Sequence, residues 1–419
     1  MVGAAVPLPA AAPVAGSQAR SGFSAERLER IDRFYEAKVA KGEMSGIVIL
    51  IARHGKIVHL KSIGHADIEK SRAMAPDTIF RAYSMTKPIA ATALMMLYER
   101  GHFQLDEPVS RYIPEFANLR VLRTPTSPLG DTVTAEREPT IHDLLRHTAG
   151  FGHGFNPNAV DQEYVKRKVF DLDVTMAEMT SRLAGIPLLY QPGRIYNYSV
   201  APDIEARLVE IFSGMPFDSF VEREILQPLR MVDSGWWVGP DRADRLATLY
   251  WSRDGKLTRN DEAHAPPADA VFLRQPWSVN SYAVNHPRKG GSYGMVTTAS
   301  DYWRFGQMLL NRGSFEGRRL LGPQTVSFMT RNHLDDKQRE GFAKGVGWGL
   351  GFAVVEDPAA AGFMSSAGAF YWAGAANTHF WVDPEKDLVV VALAQDMGNP
   401  GNALLRPQIR TLVYSALLD

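Results

Sequence analysis

From Ser24 to Lys41 the apolar residues Leu28, Ile31, Phe34, Tyr35 and Val39 recur at helical spacing, and Ser24 stands where an N-cap belongs. The pattern then changes period. Gly46–Arg53 is a β-branched run, His54-Gly55 is a turn signal, and Lys56–Ser62 resumes the run, so a β-hairpin is predicted. From Pro88 the chain is apolar almost without interruption to Tyr98, which predicts a buried helix. Between about 116 and 285 the character shifts again. Proline-rich irregular stretches (Thr124–Thr140, His264–Pro276) alternate with short helical patterns at Thr140–His147, Thr175–Leu183 and Ala201–Ser213. The first of these is capped by Thr140 and stopped by Gly150.

After Pro287 strand patterns return. Ser300–Asn311 is predicted as a helix capped by Ser300, and Gly349–Glu356 as a strand. Asn377–Val382 and Leu388–Ala394 form a hairpin around Asp383-Pro384-Glu385-Lys386, and Arg406–Leu418 is a closing helix. Strands at both ends with helices between them predict an α/β fold whose sheet joins the two ends of the chain. The expected division is a flexible tail at 1–22, an α/β domain at 23–115 plus 286–419, and a helical insertion at 116–285.

Composition narrows the function classes. The 419 residues are 45% hydrophobic and 22% charged, as in ordinary globular chains. Lys+Arg and Asp+Glu both total 46, so nothing points to nucleic acid or an anionic membrane as partner. There is no cysteine, which excludes disulfides, a thiol nucleophile and cysteine–metal sites. No apolar run reaches membrane-spanning length. The N-terminal stretch lacks a basic region and is broken by prolines, so it reads as a tail rather than a leader, and a cytoplasmic protein is expected.

Three stretches could carry chemistry. Ser84 and Lys87 would lie one turn apart on one helix face, at the start of the buried apolar helix. A serine there can act as a nucleophile, with a desolvated lysine as its proton acceptor. The bare pattern is weak, because roughly one such match arises by chance in a chain this long. Tyr198 follows the Gln191-Pro192-Gly193 turn and stands just before a helix opened by Pro202, a place suited to a proton-shuttling phenol. Tyr196 is its decoy, since alternating spacing points both the same way. Gly290-Gly291-Ser292-Tyr293-Gly294 has the form of a nucleophile elbow, with His333 or His379 and Asp336 or Asp357 as formal partners. That motif needs a strand before it and a helix at once after it, and the flanking residues offer neither. A Gly-rich turn is the better account of it. His142 and His147 diverge on a helix, no His-Glu-x-x-His occurs, and the Gly345–Gly351 stretch is no nucleotide fingerprint. No metal or cofactor is expected.

Ser84-Met-Thr-Lys87, followed by Pro192-Gly193 and Tyr198-Ser199, resembles the serine β-lactamase and penicillin-binding-protein superfamily. Phe80–Lys87, Leu105–Phe116, Ile141–Gly150 and Gly290–Asp301 narrow the resemblance to the class C β-lactamase-like family VIII carboxylesterases, over nearly the whole chain from Phe23. The resemblance implies an antiparallel sheet flanked by helices with an inserted, mainly helical domain. It implies Ser84 as acylated nucleophile, Lys87 and Tyr198 as a coupled base, and the backbone N–H groups of Ser84 and Ala375 as oxyanion hole. It makes the Ser292 match a structural turn. Trp372-Ala373-Gly374 stands where the superfamily carries Lys-Thr-Gly, and Val200 stands where β-lactamases carry an asparagine. Trp372, Gly374, Val200 and Tyr83 would border the substrate. An indole and a valine cannot replace polar groups that bind a β-lactam. The resemblance therefore implies a small-molecule ester as substrate, hydrolysed through an acyl-enzyme, with β-lactamase, D-aminopeptidase, DD-peptidase or acyltransferase chemistry as alternatives and a non-catalytic penicillin-recognising module as a further one.

Overall fold

The computed structural model describes residues 22–253, 255–261, 280–397 and 405–419. The chain's two ends meet in an eight-stranded sheet. Its strands run, from one edge to the other, Val346–Trp348, Ala353–Val355, Phe370–Gly374, Thr378–Asp383, Leu388–Ala394, Gly46–Arg53, Lys56–Asp67 and Arg72–Ala73. Every neighbouring pair is antiparallel. The junction is the pairing of Gly46–Arg53 with Leu388–Ala394, in register from Ile47 opposite Ala394 to Arg53 opposite Leu388.

The central strands are apolar throughout because both faces of the sheet are covered. Alternate residues go to different cores. Ile47, Ile49 and Ile51 pack with Leu28, Ile31 and Val413 of the terminal helices Ala25–Ala40 and Leu405–Ala416. Val48, Leu50 and Ala52 face the larger core that holds the Thr86–Glu99 and Ala299–Leu310 helices. This period of two is what lets one strand hold two layers together.

Between the sheet-forming ends lies a mostly helical region with helices Ile141–Leu145, Ala159–Lys166, Met176–Ala184, Ala201–Ser213 and Phe217–Val221. Among the described residues no helix is long and apolar enough to cross a membrane. The expected tail, up to residue 21, and the proline-rich stretch His264–Pro276 lie outside the described residues.

Several elements depart from the pattern. The helix expected over Thr140–His147 ends at Leu145, because His147 takes a left-handed φ of +58° and turns the chain early. Thr140 still caps it, in a reciprocal capping box with Asp143. The helix expected from Ser300 is capped two residues earlier, by Thr298. Thr298 is extended, and its hydroxyl accepts from Asp301 N–H at 3.1 Å. Gly349–Glu356 is not one strand: Gly349–Phe352 is a turn joining Val346–Trp348 to Ala353–Val355. The stretch read as irregular from Thr124 contains a short strand, Thr132–Thr134, paired with Arg120–Leu122. A further hairpin, Tyr250–Arg253 with Lys256–Arg259, joins Asp396–Met397 in parallel.

Candidate functional site

Ser84 lies on a 3-10 turn, Tyr83–Met85, that opens directly into the Thr86–Glu99 helix. Tyr83 has φ +48°, a left-handed value that is costly for an aromatic residue. The surroundings impose it. Ala82 N–H donates to Met295 O at 2.8 Å, and the Thr86 hydroxyl donates to Tyr83 O at 2.7 Å. Ser84 is left half-buried at the turn's crest, while Lys87, in the first helical turn, is 1% exposed. Lys87 Nζ donates to Ser292 O at 2.7 Å and stands 3.3 Å from Ser84 Oγ.

Tyr198 arrives from the helical region. The Ala201–Ser213 helix packs across the Thr86–Glu99 helix, and the segment before it is stitched to residues 147–152. Asn197 N–H donates to His147 O at 2.8 Å, Asn197 Nδ2 donates to Phe151 O at 2.7 Å, and Val200 N–H donates to Gly152 O at 3.0 Å. These bonds hold Tyr198 over the lysine. The Lys87 ammonium sits 4.6 Å from the ring centre, a cation–π contact with the face of the phenol. Tyr198 Oη is buried and has no hydrogen-bond partner among the described residues.

Two imidazoles complete the enclosure. His147 and His153 lie 4.9 and 4.8 Å from the Tyr198 ring, centre to centre. Burial, then the charge on Lys87, pushes both well below the usual histidine range, so both are neutral at physiological pH. Ser199 N–H donates to His147 Nδ1 at 3.3 Å, which marks Nδ1 as the unprotonated nitrogen.

The sheet strand Phe370–Gly374 lies on the opposite side. Trp372 packs 5.4 Å from Tyr198 and 4.5 Å from Trp348, whose indole N–H donates to Leu145 O at 3.1 Å. The end of this strand approaches Ser84 closely. A Cβ on Gly374 would meet Ala82 O at 2.3 Å and the Thr378 hydroxyl at 2.2 Å, so only glycine lets the strand reach the turn. Ala375 follows at the strand's tip. Tyr83 and Val200 are each 1% exposed and packed into the large core, so they present almost no surface to a ligand.

The competing serine is placed differently. Ser292 is 1% exposed, its Oγ has no partner among the described residues, and its carbonyl is the group in use. No helix follows it until Ala299. The formal partner His379 receives no serine: its Nδ1 lies 3.1 Å from Trp372 O. His333 pairs with His142 at 3.0 Å. Among the described residues no group of three or more His, Asp or Glu could hold a metal ion. The decoy Tyr196 packs against Phe342 and Trp348 at 4.6 and 5.4 Å rather than against Lys87.

His153 sits in no sequence pattern that reveals it, and Trp348 lies in the Gly345–Gly351 stretch, whose glycines give its indole no role. His147 lies in the Ile141–Gly150 stretch, which carried the resemblance without a role for its histidine.

A family model described as Beta-lactamase matches residues 31–414. Esterase EstB of Burkholderia gladioli is 31% identical over 400 residues, spanning 92% of this chain and 95% of its own. The structure of EstCE1, described as a hydrolase with promiscuous acyltransferase activity, superposes with a TM-score of 0.77 at 26% identity, over 93% of this chain and 99% of that one. Unliganded simvastatin synthase (LovD) from Aspergillus terreus shares the fold, with a TM-score of 0.75 at 22% identity over 94% and 99% of the two chains.

Proposed function

The chain belongs to the β-lactamase family, and on that premise we propose that it is a serine carboxylesterase working on short-chain esters through an acyl-enzyme. The observation that carries this reading is the approach of Lys87 Nζ to Ser84 Oγ, 3.3 Å apart, with the Tyr198 ring over the lysine and Trp372 packed against that ring. The esterase name of the 31%-identical EstB supports the ester as substrate.

In this reading Ser84 Oγ attacks the ester carbonyl. Its proton passes to the Lys87–Tyr198 pair, which enters the step one proton short of ammonium plus phenol and so has a place for it, and the carbonyl oxygen gathers negative charge between the N–H groups of Ser84 and Ala375. The alkoxide leaves with that proton. Water then enters, loses a proton to the same pair, and releases the acid and free Ser84. Neutral His147 and His153 keep further positive charge away from the base. The Trp372 indole offers an apolar face to a neutral or aryl ester and no charge to a carboxylate.

A second reading, acyl transfer to an alcohol in place of water, is favoured by the promiscuous acyltransferase activity described for EstCE1. It shares the acyl-enzyme and differs only in the acceptor. Ser84→Ala is expected to reduce hydrolysis of p-nitrophenyl esters to background, and Ser292→Ala to leave it near wild type. Mass spectrometry after brief exposure to substrate should place the acyl group on the peptide holding Ser84. The opposite outcome for the two serines would overturn the assignment. Added alcohol decides between water and alcohol as the preferred acceptor.

A further inference from the structure

The place of the Lys87 ammonium depends on one carbonyl. Its bond to Ser292 O, at 2.7 Å, is much tighter than its 3.3 Å approach to Ser84 Oγ. Ser292 is the middle of the Gly290–Gly294 turn, so whatever holds that turn aims the lysine.

The turn is held by an ion pair that takes no part in the chemistry above. Asp203, in the first turn of the Ala201–Ser213 helix, accepts on Oδ1 from Arg288 Nη2 at 2.9 Å and, at a longer 3.5 Å, from Ser292 N–H. Asp203 is 0% and Arg288 4% exposed. The turn rests directly on the helix. A Cβ on Gly291 would meet Pro202 O at 2.0 Å, and one on Gly290 would meet Asp203 Oδ1 at 2.8 Å. Trp236 Nε1 donates to Gly290 O at 3.0 Å, and the Arg288 guanidinium lies 4.7 Å from the Tyr293 ring and 5.5 Å from Phe170.

Asp203 therefore joins two things that the reaction needs in register. One is the helix that follows Tyr198. The other is the turn that fixes Lys87. Pairs buried this deeply add little net stability over a well-packed apolar substitute, because both charges lose their water. What such a pair does supply is a fixed distance between the elements that carry it.

We infer that Asp203 and Arg288 are positioning residues for acyl transfer, coupling the place of Lys87, through the Ser292 carbonyl, to the helix behind Tyr198. The inference rests on Ser84 being the nucleophile. It assigns neither residue a contact with substrate.

The test counts active sites before measuring rates. Asp203→Asn, Arg288→Lys and the double variant Asp203→Asn/Arg288→Met are labelled to completion with a fluorophosphonate, and kcat is expressed per labelled Ser84. Each single variant is expected to lose about 100-fold in kcat, the cost of an ångström-scale misplacement. KM should stay within about threefold, because no substrate-binding group has changed. The double variant removes both charges, leaves none buried unpaired, and is expected to fold with the same loss of kcat. Gly291→Ala, which keeps every polar group and pushes the turn off Pro202 O, should lose kcat as well. Undiminished kcat per labelled site in the double variant, or in Gly291→Ala, would overturn the proposal and leave the pair a structural tie. Full turnover by Ser84→Ala would instead remove the nucleophile on which it rests. If the single variants do not fold, the double variant and Gly291→Ala decide between these outcomes.

Discussion

Lys87 approaches Tyr198 over the face of its ring, 4.6 Å from the centre, and not at its hydroxyl, which has no hydrogen-bond partner among the described residues. The ring and the phenol oxygen can thus be tested apart. The ring face stabilises positive charge on the lysine, and the phenol oxygen is left to pass a proton between Lys87 and substrate or water. Tyr198→Phe keeps the first and removes the second. It is expected to fold with a melting temperature close to wild type and to lose roughly 10²- to 10⁴-fold in kcat, the usual range for a general acid–base group. Steady-state kinetics beside a thermal melt check both parts. An active Tyr198→Phe would leave Lys87 as the base alone.

Trp372 sets the character of the wall. It packs tilted against Tyr198 and edge-on against Trp348, and it offers no positive charge. Trp372→Lys should lower kcat/KM on a p-nitrophenyl ester and raise turnover of a chromogenic cephalosporin, so the ratio of the two falls. The lost aromatic contacts should also cost about 0.5–1.5 kcal/mol per pair. An unchanged ratio would show that selectivity lies elsewhere around Ser84.

Gly374 is required by space. Alanine there would drive its methyl into Ala82 O and the Thr378 hydroxyl, both within 2.3 Å of the Cβ position. The strand tip, with Ala375, must then withdraw from Ser84. Gly374→Ala is expected to lower kcat by about 10²-fold, the effect of losing one oxyanion donor, with a smaller change in KM. A variant with normal kcat would mean that Ala375 N–H is not part of the oxyanion hole.

Glu205 gives a pH dependence of stability. It is 2% exposed on the Ala201–Ser213 helix, which packs against the Thr86–Glu99 helix. Burial pushes its carboxyl up to about 8, with the charge on Lys87 opposing and that on Asp203 adding. The folded-state value lies above the unfolded one, so between about pH 4.5 and 8 the native protein holds a proton that the unfolded chain has released. Stability from this group is full below that window and is lost as pH rises through it. Each unit crossed costs at most about 1.4 kcal/mol. Glu205→Gln should therefore gain stability over wild type at pH 8 and gain little at pH 4. Asp396 and Asp301, raised by burial to about 7 and about 6, act in the same direction, so the variant keeps part of the slope. Urea unfolding at the two pH values measures the difference, and equal gains at both would remove Glu205 as the source.

Much of the fold was legible because it is written in local periodicity. The hairpin from Gly46, the Ala201–Ser213 helix and the Leu388–Ala394 strand stand where the apolar pattern put them, since each buries a face or a whole strand and must repeat accordingly. The misplaced features depend on contacts from elsewhere. His147 leaves its helix early because its φ is left-handed and its ring is held in the site. The turn at Gly349–Phe352 splits one apolar run into two strands, and nothing in hydropathy separates a turn from a buried strand there.

For the site, the residue types and their spacing within one segment were decided by sequence. Ser84 and Lys87 sit one turn apart because the chain places them three residues apart at the mouth of a buried helix, and no other part of the molecule is needed for that. Only the tertiary structure decided what surrounds them. It brought Tyr198 from the helical region onto the lysine's flank, added His147, His153 and Trp348 around it, and set the Ser292 carbonyl against Lys87. The physical reason is range. Periodicity and capping act over a few residues, whereas a cation over a ring and an ion pair between Asp203 and Arg288 join segments that meet only when the sheet closes and the helices pack upon it.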